Sequence, residues 1–277
     1  MKGGATGAAE RARRPIGVFD SGMGGLSVVA ELRRLLPHED IVYFADNARC
    51  PYGGRPLDEI CALVTEGADF LLARGAKILV IACNTASAAG LRPLRVHYGP
   101  AVPLVGLVPA VKPAVALTQN GTIAVLATPA TLHGPLLQEV VARFATPAGV
   151  RVLPVAAPGL VEAVEAGALD TPGTRAILAA ALDPILAAGA DVLVLGCTHF
   201  PFVRAAIAAV AGPGLTLVDS GAGVARQTER LLDEHGGRRP GPAAGQVALY
   251  TSGDPAQVGP IMRRLLAEEE TLCVSWR

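Results

Sequence analysis

The sequence carries no excess of charge of either sign and contains few lysines. Lysine and arginine together number 24, as do aspartate and glutamate. Because there is no basic excess, the composition predicts no binding to nucleic acid and no attraction to an anionic membrane. The three lysines, Lys2, Lys77 and Lys112, lie in no context typical of a pyridoxal-phosphate site, so that cofactor is not expected.

Long apolar runs and a secretory signal are also missing. The mean hydropathy is +0.42. Even so, Pro, Gly or a charge breaks every apolar run before the roughly 20 residues that a membrane helix needs. Residues 1–14 are small and charged with no apolar segment behind them, which predicts a disordered tail rather than a signal peptide. We therefore expect a cytoplasmic protein with no membrane partner.

Cysteines are few, odd in number and free of any CxxC or histidine-rich spacing. The five are Cys50, Cys61, Cys83, Cys197 and Cys273. This pattern predicts neither a disulfide framework nor a zinc site, and it fits a reducing cytosol. Cys61 and Cys273 have apolar neighbours and are interpreted as inert core residues. Cys50 lies in a Pro-Tyr-Gly loop and is interpreted as structural.

Two stretches of the chain are closely similar. Residues 75–85 (GAKILVIACNT) align without a gap with residues 189–199 (GADVLVLGCTH). Each contains an apolar, partly β-branched run, which predicts a strand buried on both faces as in a parallel sheet. Residues 16–20 and 123–127 resemble each other more faintly. With helices predicted between the strands, the 277 residues are expected to form two related α/β halves.

Polar side chains at the predicted strand ends mark a candidate site. Cys83 and Cys197 each follow one of the similar strands, and ligands of α/β sheets bind outside the carboxyl ends of the strands. The backbone amides that follow are expected to begin a helix, whose N-terminus would stabilise a thiolate. Asp20 and His199 also lie at strand ends, although Asp20 could instead cap the next helix. We predict that the two cysteines face each other across one cleft.

Four motifs in the chain resemble those of the glutamate racemases, within the aspartate/glutamate racemase superfamily. They follow the family's order over most of the chain, from about residue 16 to residue 220. Any one of them is weak, and the four together are specific. The motifs are FDSGMGG at 19–25, Asp46 with PYG at 51–53, ACNT at 82–85 and GCTH at 196–199.

The resemblance implies a fold and an activity. Two α/β domains with mostly parallel sheets would be related by a pseudo-twofold axis, with the active site in the cleft between them. The first domain would comprise residues 15–107 and 219–277, and the second residues 108–218. The activity implied is a cofactor-independent interconversion of L- and D-glutamate, which supplies D-glutamate for peptidoglycan. Members of the family are usually homodimers.

The resemblance also implies residue roles. Cys83 and Cys197 would exchange the α-proton of glutamate on opposite faces, with Asp20 assisting Cys83 and His199 assisting Cys197. Glu162 matches an acidic position that would support His199. No metal ligand is implied. The residues implied to bind substrate are Asp20, Ser21, Tyr52, Gly53, Asn84, Thr85, Thr198 and His199.

Two departures from the family pattern and two alternatives bear on these roles. The family's Gly-Thr is Ala127-Thr128 here, and His133 stands where a serine is common, so Thr128 and Thr131 are not assigned to substrate. An aspartate or hydantoin racemase of the same superfamily is one alternative. A non-catalytic amino-acid-binding module is the other, and the presence of both cysteines argues against it.

Overall fold

The computed structural model describes residues 10–235, 237–267, 271 and 273–276. The strands are, in chain order, β1 (Ile16–Asp20), β2 (Ile41–Ala45), β3 (Ile78–Ile81), β4 (Leu104–Gly106), β5 (Thr122–Leu126), β6 (Arg151–Val155), β7 (Val192–Leu195), β8 (Thr216–Val218), β9 (Val247–Thr251) and β10 (Cys273–Ser275).

Helices separate most of these strands. The α-helices are α1 (Leu26–Leu35), α2 (Leu57–Ala73), α3 (Asn84–Tyr98), α4 (Val111–Leu117), α5 (Pro129–His133), α6 (Pro135–Val140), α7 (Leu160–Glu165), α8 (Pro172–Ala187), α9 (Arg204–Ala211), α10 (Gly221–Glu234) and α11 (Pro255–Leu266). The described residues also include three 3₁₀ segments, Asn47–Arg49, Gly99–Ala101 and Phe200–Val203, and one π segment, Val141–Ala145. Across the described residues, no helix has both the length and the apolar character needed to cross a bilayer.

The strands form two separate parallel sheets. The larger has the order β10-β9-β2-β1-β3-β4, and the smaller has the order β6-β5-β7-β8. The prediction of two α/β domains is thereby confirmed. The smaller sheet lies within residues 108–218, and the larger draws its strands from both sides of that range.

The central strands are buried on both faces because helices cover them. Every residue of β1, β3 and β7 is buried, as their uninterrupted apolar sequences require. In the larger sheet, Asp20 pairs with Ala45 and Phe19 pairs with Ile81. Since β1, β2 and β3 are parallel and in register, their carboxyl ends lie along the same side of the sheet. The candidate site lies at these carboxyl ends.

A buried ion pair shows that part of the predicted N-terminal tail is ordered. Residues 1–9 lie outside the described residues, but 10–12 form a helical turn and Ala12 is buried. Lys77 Nζ donates to the Ala12 carbonyl over 2.7 Å and to Glu39 Oε2 over 2.5 Å. The prediction of disorder is therefore wrong for residues 10–14, because a buried ammonium group needs that carbonyl as a partner.

Replacing Lys77 tests how much this pair contributes to stability. The Lys77 and Glu39 side chains are 1% and 4% exposed. In Lys77→Met, Glu39 keeps a buried charge without its ion partner, so the free energy of unfolding should fall by on the order of 3 kcal/mol. Urea denaturation followed by circular dichroism measures this.

The matched control is Arg92→Met, which breaks the ion pair with Glu139 on the surface. Those side chains are 66% and 52% exposed, so the loss should stay below about 1 kcal/mol. Equal losses of unfolding free energy in Lys77→Met and Arg92→Met would show that burial does not increase the contribution of the Lys77–Glu39 pair to stability.

Candidate active site

Asp20 ends β1 beneath the candidate site and is fully buried. The Gly22 amide donates to its Oδ1 over 3.0 Å, and the Thr198 hydroxyl donates to its Oδ2 over 3.0 Å. Gly25, not Asp20, occupies the N-cap position of α1, so the helix-cap interpretation of Asp20 is excluded. Burial raises the pKa of Asp20 from 3.8 to about 6, against the opposing effects of His199 and these hydrogen bonds.

Cys83 lies at the N-cap of α3, directly after β3. Its Sγ accepts a hydrogen bond from the Ala86 amide over 3.4 Å and lies 3.5 Å from the Ser21 hydroxyl. The expected helix N-terminus is therefore present. Even so, burial, followed by the charge of Asp20, raises the pKa of Cys83 to about 12. In this closed arrangement Cys83 is a thiol, because desolvation outweighs the helix amides.

Cys197 follows β7, and its Sγ lies 3.6 Å from Nδ1 of His199. The helix expected after Cys197 begins as the 3₁₀ segment that starts at Phe200, with His199 rather than Cys197 in the N-cap position. The resulting turn brings His199 back to the sulfur of Cys197, so a histidine takes the place that helix amides have at Cys83.

His199 is buried between Cys197 and a glutamate. Its Nε2 lies 2.6 Å from Oε1 of Glu165, which also accepts from the Met23 amide over 2.6 Å. The second oxygen of Glu165 accepts from Asn47 Nδ2 over 2.7 Å. Burial alone would lower the pKa of His199, but hydrogen bonds with Cys197, Cys50 and Glu165 raise it well above its usual range.

The glutamate that supports His199 differs from the one expected. Glu162 is exposed on α7, whereas Glu165, one turn later, reaches the imidazole. Burial would raise the pKa of Glu165, but its hydrogen bond to His199 and that residue's charge hold the pKa below its usual range. Glu165 is therefore a carboxylate facing an imidazolium.

Cys50, which is interpreted as structural from its sequence context, also lies beside this pair. The thiol is half-buried, and its sulfur lies within 4.8 Å of a ring nitrogen of His199. Burial raises its pKa to about 11. Ligand atoms of Cys50, Glu165 and His199 all lie within 4.8 Å of one another.

Both cysteines line one small cavity of about 20 Å³. The prediction that they face a common cleft agrees with this placement, and Asp20 lies beneath the lining, held by Thr198. The sequence-predicted residues that line the cavity are Ser21, Tyr52, Gly53, Cys83, Asn84, Thr85, Cys197, Thr198 and His199.

Tyr52 and Gly53 cover the cavity from the loop after β2. The Tyr52 hydroxyl donates to Asp46 Oδ2 over 2.5 Å, which fixes the ring. A Cβ on Gly53 would lie 3.2 Å from Cβ of Thr128, so the absence of a side chain lets the loop approach the second domain. Both positions are thereby set by contacts distant in sequence.

Unassigned threonines complete the lining. The Thr85 hydroxyl lies 2.9 Å from that of Thr128 and 3.3 Å from that of Thr131. Three hydroxyl groups from two domains thus meet at one wall. Beside them, the buried Oδ1 of Asn84 has no hydrogen-bond partner within the described part of the chain. An unpaired buried acceptor at a cavity wall suits a ligand that donates hydrogen bonds.

Comparison with known proteins agrees with this geometry. The family model for Asp/Glu/hydantoin racemases matches residues 16–228, and the chain belongs to this family. A protein of Deinococcus radiodurans called glutamate racemase is 50% identical over 257 residues, covering 93% of this chain and 88% of its own. A Roseiflexus protein of the same name is 48% identical, covering 92% and 93%.

Solved structures show the same likeness. Glutamate racemase isoform RacE1 from Bacillus anthracis superposes with a TM-score of 0.83 at 32% identity, covering 94% of this chain and 96% of its own. The Escherichia coli glutamate racemase, solved with L-glutamate and the activator UDP-MurNAc-Ala, gives 0.81 at 34% identity, covering 95% and 98%. The resemblance inferred from the four motifs is confirmed.

The raised pKa of Asp20 makes stability depend on pH. Because the folded-state value of about 6 exceeds the ordinary 3.8, this group stabilises the fold at low pH and loses that contribution as pH rises through this range. Asp20→Asn removes the buried charge. Its free energy of unfolding relative to wild type should therefore increase by on the order of 1 kcal/mol between about pH 5 and pH 8.

Denaturant titrations of both proteins at the two pH values measure this difference. The control is Asp58→Asn, which removes an exposed carboxyl group from the first turn of α2 and so shows the effect of losing a carboxyl group that is not buried. A constant difference between Asp20→Asn and wild type would mean that Asp20 has an ordinary pKa.

Proposed function

We propose that the protein is a glutamate racemase that interconverts L- and D-glutamate by proton transfer between Cys83 and Cys197. The observation that carries this proposal is that the two thiols line one cavity while each has its own polar partners. Cys83 has Ser21 and the charge of Asp20 beside it, and Cys197 has His199. Such an arrangement suits a reaction that needs one base and one acid on opposite faces.

The chemistry requires a thiolate on one side and a thiol on the other. The thiolate removes the α-proton, and the thiol on the other face returns a proton to the carbanion. His199 is placed to return a proton to Cys197 after Cys197 has given up its own. Asp20 is placed to do the same for Cys83. By the family resemblance, Cys83 accepts the proton of D-glutamate and Cys197 that of L-glutamate.

The polar lining is suited to holding an amino acid with two carboxylates. The unpaired Oδ1 of Asn84 is an acceptor for the α-ammonium group. Ser21 and Thr198 offer hydroxyl groups beside the two thiols. We also assign Thr85, with Thr128 and Thr131, to a substrate carboxylate. Hydrogen bonds placed at the developing negative charge contribute much of the rate of such reactions.

Substrate access requires the closed site to open. A cavity of about 20 Å³ has room for a water molecule or two, and glutamate is several times larger. A neighbouring cavity of about 300 Å³ shares Pro51, Gly53, Thr128 and Val161 with it. We propose that the loop at 51–54 moves outward and admits the substrate through this larger cavity. Closure then excludes water from the carbanion.

The family resemblance supports further assignments, which are part of this proposal. We assign residues 15–107 and 219–277 to one domain and 108–218 to the other, with the substrate between them. We also propose a cytoplasmic homodimer whose D-glutamate serves peptidoglycan synthesis. Aspartate and hydantoin racemases are the competing activities. The names of the 48–50% identical relatives favour glutamate.

The activity itself has a direct test. Purified protein, dialysed against a chelator and given no cofactor, should convert either enantiomer of glutamate to the racemate. Circular dichroism follows the loss of optical activity, and L-aspartate under the same conditions is the control. Racemisation of aspartate at an equal or higher kcat/KM would contradict the assignment to glutamate, and binding without turnover would indicate a binding module.

Single serine variants of the two cysteines test whether each thiol serves one face of the substrate. In Cys83→Ser and in Cys197→Ser, racemisation should fall by on the order of 10²–10⁴ in both directions, because each cycle needs a base and an acid. Exchange of the α-proton needs only one base. Deuterium incorporation, measured by NMR, should therefore persist with L-glutamate in Cys83→Ser and with D-glutamate in Cys197→Ser.

Cys61→Ser is the matched control, because Cys61 is a half-buried cysteine on α2 and does not line the cavity. It should racemise glutamate at the wild-type rate. Equal residual exchange of both enantiomers in either active-site variant would rule out the assignment of one thiol to each face.

A further inference from the structure

We propose that Cys50, Glu165 and His199 form a binding site for a thiophilic divalent cation of the Zn²⁺ class, and that its occupancy stops racemisation. The binding site stands on geometry alone. Only its inhibitory effect rests on the proposed function.

The three residues supply a ligand set typical of zinc. A thiolate, a carboxylate and an imidazole are the ligands that Zn²⁺ prefers, at about 2.0–2.3 Å from the ion. Ligand atoms around one ion therefore lie about 3–4 Å apart. The corresponding atoms of this cluster lie within 4.8 Å of one another, so small side-chain movements bring them to that spacing. A fourth position remains for water.

The surroundings hold the cluster in place. Glu165 accepts hydrogen bonds from the Met23 amide and the Asn47 amide group, which orient its carboxylate as outer-shell partners orient metal ligands. A Cβ on Gly22 would lie 2.2 Å from Oε1 of Glu165 and 2.9 Å from Sγ of Cys50. The glycine at position 22 is thus what allows both ligands to approach this strand end.

Two of the three ligand residues are partly exposed to solvent. The side chain of Glu165 is 18% exposed and Cys50 is half-buried, whereas His199 is 3% exposed and lies behind them. The cluster therefore forms the outer layer of a site whose inner layer is the cavity with Cys83 and Cys197.

Binding changes the protonation of the cluster in a definite way. The Cys50 thiol and the imidazolium each release one proton to solvent, and bonds from the sulfur, the carboxylate and an imidazole nitrogen to the ion form. The charges of thiolate and carboxylate then balance that of the ion. The ion would occupy one nitrogen of the imidazole that lies beside Cys197, and so would compete with the role of His199 in the proposed proton transfer.

The spacing of cysteines and histidines along the sequence does not predict such a site. Its ligands come from the loop after β2, from α7 and from the turn after β7, so no short spacing such as CxxC relates them. The expectation of no zinc site rested on that missing spacing alone.

The binding test uses Cd²⁺ as a spectroscopic probe of thiolate coordination. Metal-free protein titrated with Cd²⁺ should develop an ultraviolet thiolate-to-metal charge-transfer band that saturates at one ion per chain. Cys50→Ser should lose the band and weaken Zn²⁺ binding, measured by competition with a chromophoric chelator. The loss should be at least about tenfold, since even outer-shell partners contribute about 10–100-fold to metal affinity.

Glu165→Gln gives a second variant in which the band persists and the affinity falls, which separates a lost ligand from a misfolded protein. Cys83→Ser and Cys61→Ser, in which the three ligands are intact, should keep the wild-type band and affinity. Loss of the band in Cys83→Ser, or an unchanged band in Cys50→Ser, would place the ion on the cavity thiols and overturn the proposal.

The inhibition test is separate from the binding test. Zn²⁺ should lower the racemisation rate of wild-type protein, and a chelator should restore it. Cys50→Ser, compared with its own metal-free rate, should need at least about tenfold more Zn²⁺ for the same inhibition. Equal sensitivity of both proteins would overturn the inhibitory effect. A protein that binds Cd²⁺ through Cys50 but lacks racemase activity would contradict the proposed function and leave the metal site standing.

Discussion

The hydrogen bond from Thr198 to the buried carboxyl group of Asp20 is the interaction on which the site most depends. It joins the strand end of β1 in the larger sheet to the turn after β7 in the smaller one. Without a polar partner from the second domain, a fully buried carboxyl group would carry a large desolvation cost. A second hydrogen bond, donated by the Met23 amide to Glu165, also connects the two halves. Polar groups that are also the candidates for chemistry therefore connect the two halves across the cleft.

Much of this arrangement was predictable from sequence because it is local. A buried strand followed at once by polar residues identifies Cys83 and Cys197, and parallel pairing brings Asp20 to the same edge. His199 is two residues from Cys197, so its role also follows from a short motif. In each case the chain itself fixes the position of the side chain at a strand end, and no distant contact has to be known.

The residues that sequence reasoning missed depend on distant contacts. Glu165 lies at the end of α7, a helix of six residues with no capping signal, and it meets His199 34 positions away. Cys50 reaches the same imidazole from a loop in the other domain. The raised pKa of Cys83 also depends on contacts distant in sequence. A helix N-terminus can be inferred from sequence, whereas complete burial beside Asp20 cannot.

The electrostatics of the closed cavity explain how a racemase of this design would generate its base. Burial raises the pKa of both groups on one side of the cavity, to about 12 for Cys83 and to about 6 for Asp20, so the thiol is the group kept neutral there. The substrate brings an ammonium group, and a positive charge within a few ångströms stabilises thiolate and carboxylate in a site that excludes water. On the other side, His199 already provides a positive charge next to Cys197, balanced by Glu165. The two thiols thus have different partners, since Cys83 lies beside Ser21 and Asp20 and Cys197 lies beside His199.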